Sequence, residues 1–313
     1  QPLVGSREQR GRDKPVVAWL VYNRYHRIFT RKKNMKNVKL IASDMDHTLL
    51  MENGKLPDGF FDYIDRLDEK GIRFVVASGR PMYTLRNMFG DKMDKLVVIG
   101  DNGAAISNCG EIIYKSLMDV EEYQKMIRFV EDETDGVAVL CALSGAYVLK
   151  KYEKYAKFFR AFLSNLTFVD DMRSLDVEAN KFTIFAPDGD AAVKYKEIYT
   201  PRFGDNFSVT VGGREWIDIM NKGVDKGMAM RKIGELLDVD TSEMMAFGDN
   251  FNDAEMLKTV YYSYIVANAQ PGMCAAGYGT GADIITRIFQ HYETEMICTL
   301  FTGQPVRRVF LYV

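Results

Sequence analysis

The chain has 313 residues, 47% of them hydrophobic and 27% charged, with a formal net charge of −2. This is the composition of an ordinary globular protein with length for two domains or one large one. No apolar run approaches the roughly 18 residues that a membrane span requires. The charge is uneven: residues 1–39 carry eleven Lys and Arg against Glu8 and Asp13, a net of +9, so the rest stands at −11, the difference from −2. An acidic body excludes a general nucleic-acid binder.

Residues 1–36 have no helical or strand period and run through Gly5, Gly11 and Pro15. They read as an extension, non-native or without fixed order; a presequence or a tether for an anionic surface is the alternative. Residues 38–43 form the first convincing apolar strand and end at Asp44-Met45-Asp46-His47-Thr48. Two carboxylates one residue apart repel each other and resist burial. A hard divalent cation removes that objection, and one carboxylate could then act as a nucleophile. An ordinary strand-ending turn fits the same residues.

The pattern of short apolar strand, polar turn and amphipathic helix then repeats. Residues 72–77 end at Ser78-Gly79-Arg80, 96–99 at Gly100-Asp101-Asn102-Gly103, 244–247 at Gly248-Asp249-Asn250, and 264–267 at Asn268. Phe60, Phe61, Ile64 and Leu67 share one helical face, and so do Ala229, Ile233, Leu236 and Leu237, behind a cap at Asp225. This alternation predicts an α/β fold: a Rossmann-like parallel sheet with helices on both faces. Ligands bind beyond the carboxyl ends of such strands, where the polar turns lie.

The middle breaks the rhythm. Tyr123, Met126, Ile127 and Val130 mark a helix; 137–141 and 146–149 form a hairpin around Ser144-Gly145; a helix covers about 153–163; strands follow at 181–186, 207–211 and 216–220. The expected organisation is a core at 37–115 and 216–290, an inserted α+β cap at 116–215, and an unassigned tail at 291–313.

Three turns carry candidate chemistry. Ser78 and the Gly79 amide can cradle an anionic oxygen, although a plain turn uses the same residues. Lys226 opens a helix, where its charge opposes the dipole unless an anion sits there; Lys222 is a rival. Asp249 and Asp253 flank Asn250 and Asn252 at another strand end, as helix caps or as metal ligands. Gly277-Tyr278-Gly279-Thr280-Gly281 follows no good strand and reads as a loop. The four cysteines form no close pair, and the three histidines are scattered. Sparse cysteines suit a reducing compartment, so the expected location is cytoplasmic, and two glycosylation sequons at Asn165 and Asn206 read as chance.

Taken together, Asp44-Met45-Asp46-His47-Thr48-Leu49-Leu50, Ser78-Gly79-Arg80, Lys226-Gly227 and Gly248-Asp249-Asn250-Phe251-Asn252-Asp253 resemble the four motifs of the haloacid dehalogenase superfamily of phosphohydrolases. The inserted cap, with Asp101-Asn102-Gly103-Ala104 before it, resembles the Cof-type branch, over roughly residues 37–290. The resemblance implies a phosphatase in which Asp44 attacks phosphorus and Asp46 serves as general acid and then base. Magnesium (Mg2+) would be held by Asp44, the Asp46 backbone carbonyl and Asp249, with Asp253 as a further ligand or an orienting group. Met45, Ser78, Gly79, Lys226 and Asn252 would hold the phosphoryl group. The implied partner is a small phosphorylated substrate such as a sugar phosphate or a phosphorylated cofactor, acted on by a monomer or weak dimer. A sugar phosphomutase and a non-catalytic phosphometabolite sensor are the alternatives. His47 departs from the family, which more often has glycine there, and reads as a structural variant.

Overall fold

The computed structural model describes residues 38–51, 53–266, 268–270 and 273. The basic extension, the 277–281 loop and the 291–313 tail lie outside the described residues.

The first strands are β1 (Leu40–Asp44), β2 (Arg73–Ala77) and β3 (Val97–Gly100), followed by β4 (Ala105–Asn108) and β5 (Glu111–Lys115). Helices α1 (Phe60–Asp68) and α2 (Met82–Phe89) join the first three. After α3 (Val120–Glu133) come β6 (Val137–Ala142), β7 (Ala146–Leu149), β8 (Leu166–Val169), β9 (Ala179–Phe185), β10 (Phe207–Val211) and β11 (Trp216–Asn221). The chain then forms α4 (Lys226–Leu237), β12 (Met244–Gly248), α5 (Ala254–Thr259) and β13 (Tyr262–Ile265).

Two sheets result. One has seven strands in the order β13-β12-β1-β2-β3-β4-β5, the other six in the order β10-β11-β9-β6-β7-β8. In the first, β13, β12, β1, β2 and β3 run parallel. The predicted parallel sheet is present in these five strands and is extended at one edge by β4 and β5, which return antiparallel. Cys109 and Gly110 turn that hairpin with φ of 50° and 81°, a geometry that needs no crossover helix.

Trp216–Asn221 was expected in the core segment beginning at 216. It pairs instead with β9 and β10, so the chain leaves the second sheet after Asn221. An apolar run shows that a strand exists but not which sheet accepts it. The helix expected over 153–163 is also shorter: a 3-10 turn at Lys150–Tyr155 is followed by one helical turn, Ala156–Phe159. There Phe158 stacks on Trp216 and Phe159 meets Phe185 edge to face.

The core of the first sheet packs Leu40, Ala42, Val75, Ala77, Val97 and Ile99 with Ala229, Met230 and Ile233 of α4. Strand β1 is buried along its whole length, as a central strand covered on both faces must be. Asp225 caps α4 by accepting from the Met228 N–H at 2.7 Å. Leu236, expected on the buried face, is 52% exposed.

Candidate active site

The register aligns the chemistry. Asp44 lies opposite Ala77 of β2, and Ser43 opposite Phe247 of β12. Ser78 and Asp249, just past those partners, therefore flank Asp44 at the carboxyl edge of the sheet.

Asp44, Asp249 and Asp253 are buried, and an oxygen from each lies within 4.8 Å of the others. Lys226, fully buried, donates to Asp44 Oδ1 and to Asp253 Oδ1, each at 2.6 Å. The anion that rationalises this lysine at a helix start thus includes two carboxylates of the protein itself. Lys222 is exposed and donates to the Gly204 carbonyl at 2.5 Å, away from the cluster. Gly227 makes the lysine's position possible: a Cβ there would collide with the Glu255 carbonyl, so only glycine lets α4 approach α5 this closely.

Burial, reinforced by the Asp253 carboxylate, pushes the Asp44 carboxyl well above its ordinary range, with Lys226 opposing. Burial and then Asp253 raise Asp249 in the same sense. Burial works against the charge on Lys226, but Asp253 and Asp44 outweigh it and hold the ammonium above its ordinary value. Three carboxylates around one ammonium leave two negative charges uncompensated when all are ionised. Oxygen ligands with that surplus suit a hard divalent cation, so the donor set fits the metal that the resemblance implies.

Asp253 spends its second oxygen on the Asp249 and Asn250 N–H groups, at 3.0 and 3.1 Å. That makes it an orienting group as much as a candidate ligand. Thr48 Oγ1 donates to Asp249 Oδ1 at 2.9 Å. The Asp46 carboxylate stands outside the cluster with its side chain 38% exposed, so only its backbone could join a metal ligand set. Arg80 grips it with two bonds, Nε to Oδ2 at 2.9 Å and Nη2 to Oδ1 at 2.6 Å. Ser78 Oγ accepts the Arg80 N–H at 3.0 Å, which leaves the hydroxyl hydrogen to be donated elsewhere. Asn252 Nδ2 donates to Asn102 Oδ1 at 3.0 Å. Met45 follows Asp44 with its side chain buried in the core.

His47 has a φ of 66°, a left-handed conformation in which glycine is unstrained. This accounts physically for the family's glycine. The His47 carbonyl accepts from Asn268 Nδ2 at 2.8 Å. Sequence reasoning assigned no role to Arg80, Thr48 or Asn102. Arg80 and Thr48 lay inside quoted motifs, but their partners are 34 and 201 residues away.

A family model for haloacid dehalogenase-like hydrolases matches residues 41–279. The Escherichia coli (strain K12) protein named 5-amino-6-(5-phospho-D-ribitylamino)uracil phosphatase YbjI is 27% identical over 265 residues, covering 82% of this chain and 97% of its own. An HMP-PP phosphatase from Enterobacter sp. (strain 638) is 25% identical, covering 76% and 87%. The crystal structure of SMU.1108c from Streptococcus mutans UA159 superposes with a TM-score of 0.72 at 33% identity, covering 77% of this chain and 91% of that one. The chain belongs to the haloacid dehalogenase-like hydrolase family, in its Cof-type branch, and is a phosphatase.

Proposed function

We propose that the protein is a magnesium-dependent phosphohydrolase of small phosphorylated metabolites, working through an aspartyl-phosphate. One observation carries this reading: Asp44 is held in a buried, over-negative cluster while Asp46, two residues on, is held apart by Arg80. We read the buried carboxylate as the one that attacks and the one held by Arg80 as the group that transfers the proton.

In the first step an Asp44 oxygen attacks phosphorus in line, and the bond from phosphorus to the leaving oxygen breaks as Asp46 supplies that oxygen with a proton. In the second, the Asp46 carboxylate takes a proton from water as the water oxygen attacks phosphorus and the bond to Asp44 breaks. Asp44, Asp249 and the Asp46 carbonyl would hold magnesium, which when bound neutralises charge on the phosphoryl oxygens. Lys226, Ser78, Asn252 and the Met45 and Gly79 amides are assigned to those same oxygens.

We further propose that the six-stranded unit is a cap over this centre. Supporting contacts join it to Arg80 and α2: Arg80 Nη1 to the Ala161 carbonyl at 3.4 Å, and Thr84 Oγ1 to the Phe162 carbonyl at 3.2 Å. Such a unit excludes water and selects the leaving group. The substrate class is supported by the named relatives, which act on a phosphoribitylamino-uracil and on HMP-PP. No helix among the described residues is long and apolar enough to cross a membrane. The free thiols of Cys109 and Cys141 accord with a cytoplasmic protein, and we take it to be a monomer or weak dimer.

The test is phosphate release from a panel of sugar phosphates, nucleotides and phosphorylated cofactors, with magnesium and with chelator. Magnesium-dependent release is expected. A folded, magnesium-binding sample that releases nothing from any member sinks the reading.

A further inference from the structure

Behind the phosphate-binding turns lies a second buried polar cluster to which the mechanism assigns no role. Its members come from both sheets. Asn102, 1% exposed, sits in the turn after β3, and Asp218 and Lys181, on β11 and β9 of the six-stranded sheet, are 4% and 3% exposed. Asn102 Nδ2 donates to Asp218 Oδ2 at 2.7 Å, and Thr183 Oγ1 donates to Asp218 Oδ1 at 2.6 Å. The remaining polar atom of the Asn102 side chain, Oδ1, accepts from Asn252 Nδ2 at 3.0 Å. A continuous chain of bonds therefore runs from the cap strand, through Asn102, to a residue assigned to the phosphoryl oxygens.

The same turn grips the neighbouring loop. The Asn102 N–H donates to the Ser78 carbonyl at 3.0 Å, the Asp101 N–H to the Arg80 carbonyl at 2.9 Å, and Lys181 Nζ to the Gly79 carbonyl at 2.5 Å. All three carbonyls of Ser78-Gly79-Arg80 are thus held from one side. A Cβ on Gly79 would stand 3.1 Å from Asn102 Oδ1, so the loop packs directly on that amide. Asp101 and Asn102 both keep left-handed backbone, with φ of 51° and 54°. Strain of that kind persists only where the surroundings over-determine it.

We propose that Asn102, braced by Asp218 of the cap sheet, is a positioning residue that sets the Asn252 amide for the phosphoryl group. An Asn amide can rotate by 180°, exchanging its donor and its acceptor. The Asp218 carboxylate can only accept, so it fixes Asn102 with Nδ2 towards itself and Oδ1 towards Asn252. Asn252 must then present Nδ2 to Asn102. Its amide plane is set before substrate arrives, and the ordering cost at binding is lowered.

The inference rests on the proposed function, and its test separates the two. Asn102→Gly removes the amide and relieves the positive φ, so the variant is expected to fold. Inorganic phosphate is the probe, measured on magnesium-loaded full-length protein by calorimetry and as an inhibitor of p-nitrophenyl phosphate hydrolysis. Asn102→Gly and Asn252→Ala are each expected to weaken phosphate by about tenfold, the scale of one hydrogen bond. Because one acts through the other, the double variant is expected to lose about tenfold as well, instead of the roughly hundredfold of independent sites. Asp218→Asn, which keeps the volume but frees the amide to flip, is expected to share the phosphate loss. A multiplicative double variant, or an Asn102→Gly protein with lower thermal stability and unchanged phosphate affinity, overturns the positioning role alone. Unchanged phosphate affinity in Asn252→Ala overturns the assignment of Asn252 to phosphate, and this inference with it.

Discussion

Two buried lysines make the instructive comparison in this molecule. Lys226 contacts Asp44 and Asp253 at the end of β1, and Lys181 contacts Asp101 and Asp218 at the seam between the sheets. Each is one ammonium among aspartates, and each is almost completely buried. They differ in how the carboxylates are compensated. At the seam, neutral donors take much of the load: Asn102 and Thr183 on Asp218, Asn180 and the Met82 N–H on Asp101. At the end of β1 a third carboxylate, Asp249, joins, and among the described residues Lys226 is the cation paired with the cluster. With one surplus negative charge spread over neutral donors the seam acts as a fastener, whereas a cluster with two has a use for a cation and for a phosphoryl acceptor.

The sharpest way to break this comparison is to neutralise one aspartate in each cluster. Asp44→Asn is expected to lower phosphate release by at least about 10³-fold while the protein stays folded, because the proposed nucleophile is gone. Asp101→Asn is expected to retain most turnover. Equal losses in the two would erase the distinction between fastener and reaction centre.

Next in size are the lysines. Lys226→Met and Lys181→Met each strand buried carboxylates and are expected to destabilise by about 3–5 kcal/mol in denaturant unfolding. Magnesium should recover part of the loss in Lys226→Met, where the carboxylates include the proposed metal ligands, and none in Lys181→Met. Recovery in both would show that the seam also takes the ion.

Magnesium and pH sharpen the contrast further. Asp44 and Asp249 have folded-state values above the ordinary carboxylate range, about 3.9. From that value upwards the native state holds protons that the unfolded chain has released, so the stability of metal-free protein falls as pH rises through the elevated values. Saturating magnesium, taken up by the proposed site of the folded protein alone, should flatten that slope and raise the melting temperature. Unfolding midpoints between pH 4.5 and 7.5, with and without metal, check this. A midpoint that rises with pH in chelator would contradict it.

The smallest expected effect concerns the seal of the seam. Cys141, whose Sγ lies 3.8 Å from Thr183 Oγ1, is buried, and that burial pushes its thiol up to about 12. At pH 8 a maleimide should label the exposed Cys109 promptly and leave Cys141 unmodified until the protein unfolds. Comparable rates would mean that the two sheets part readily.

Much of the core was legible before folding was considered. The strands ending at Asp44, Ser78 and Asp249 are short apolar runs closed by polar turns, and both signals are local. The cap at Asp225 and the buried faces of α1 and α3 followed from spacing in the same way. Trp216–Asn221 was legible as a strand but not as a member of the six-stranded sheet, because its pairing with Ala179–Phe185 is a choice among distant partners. The antiparallel edge of β4 and β5 was missed because its register depends on a two-residue turn.

The candidate site divides along the same line. The sequence alone determined which residue types stand at which strand ends, since a carboxylate pair, a serine-glycine turn and a helix-starting lysine are each written within a few consecutive positions. Only the tertiary structure decided who meets whom: Lys226 with Asp44, Arg80 with Asp46, Thr48 with Asp249, Asn252 with Asn102 and so with Asp218. These pairings span 34 to 201 residues. They are set by the order of strands in a sheet and by burial that makes each unpaired charge costly, and neither is a property of any short stretch of chain.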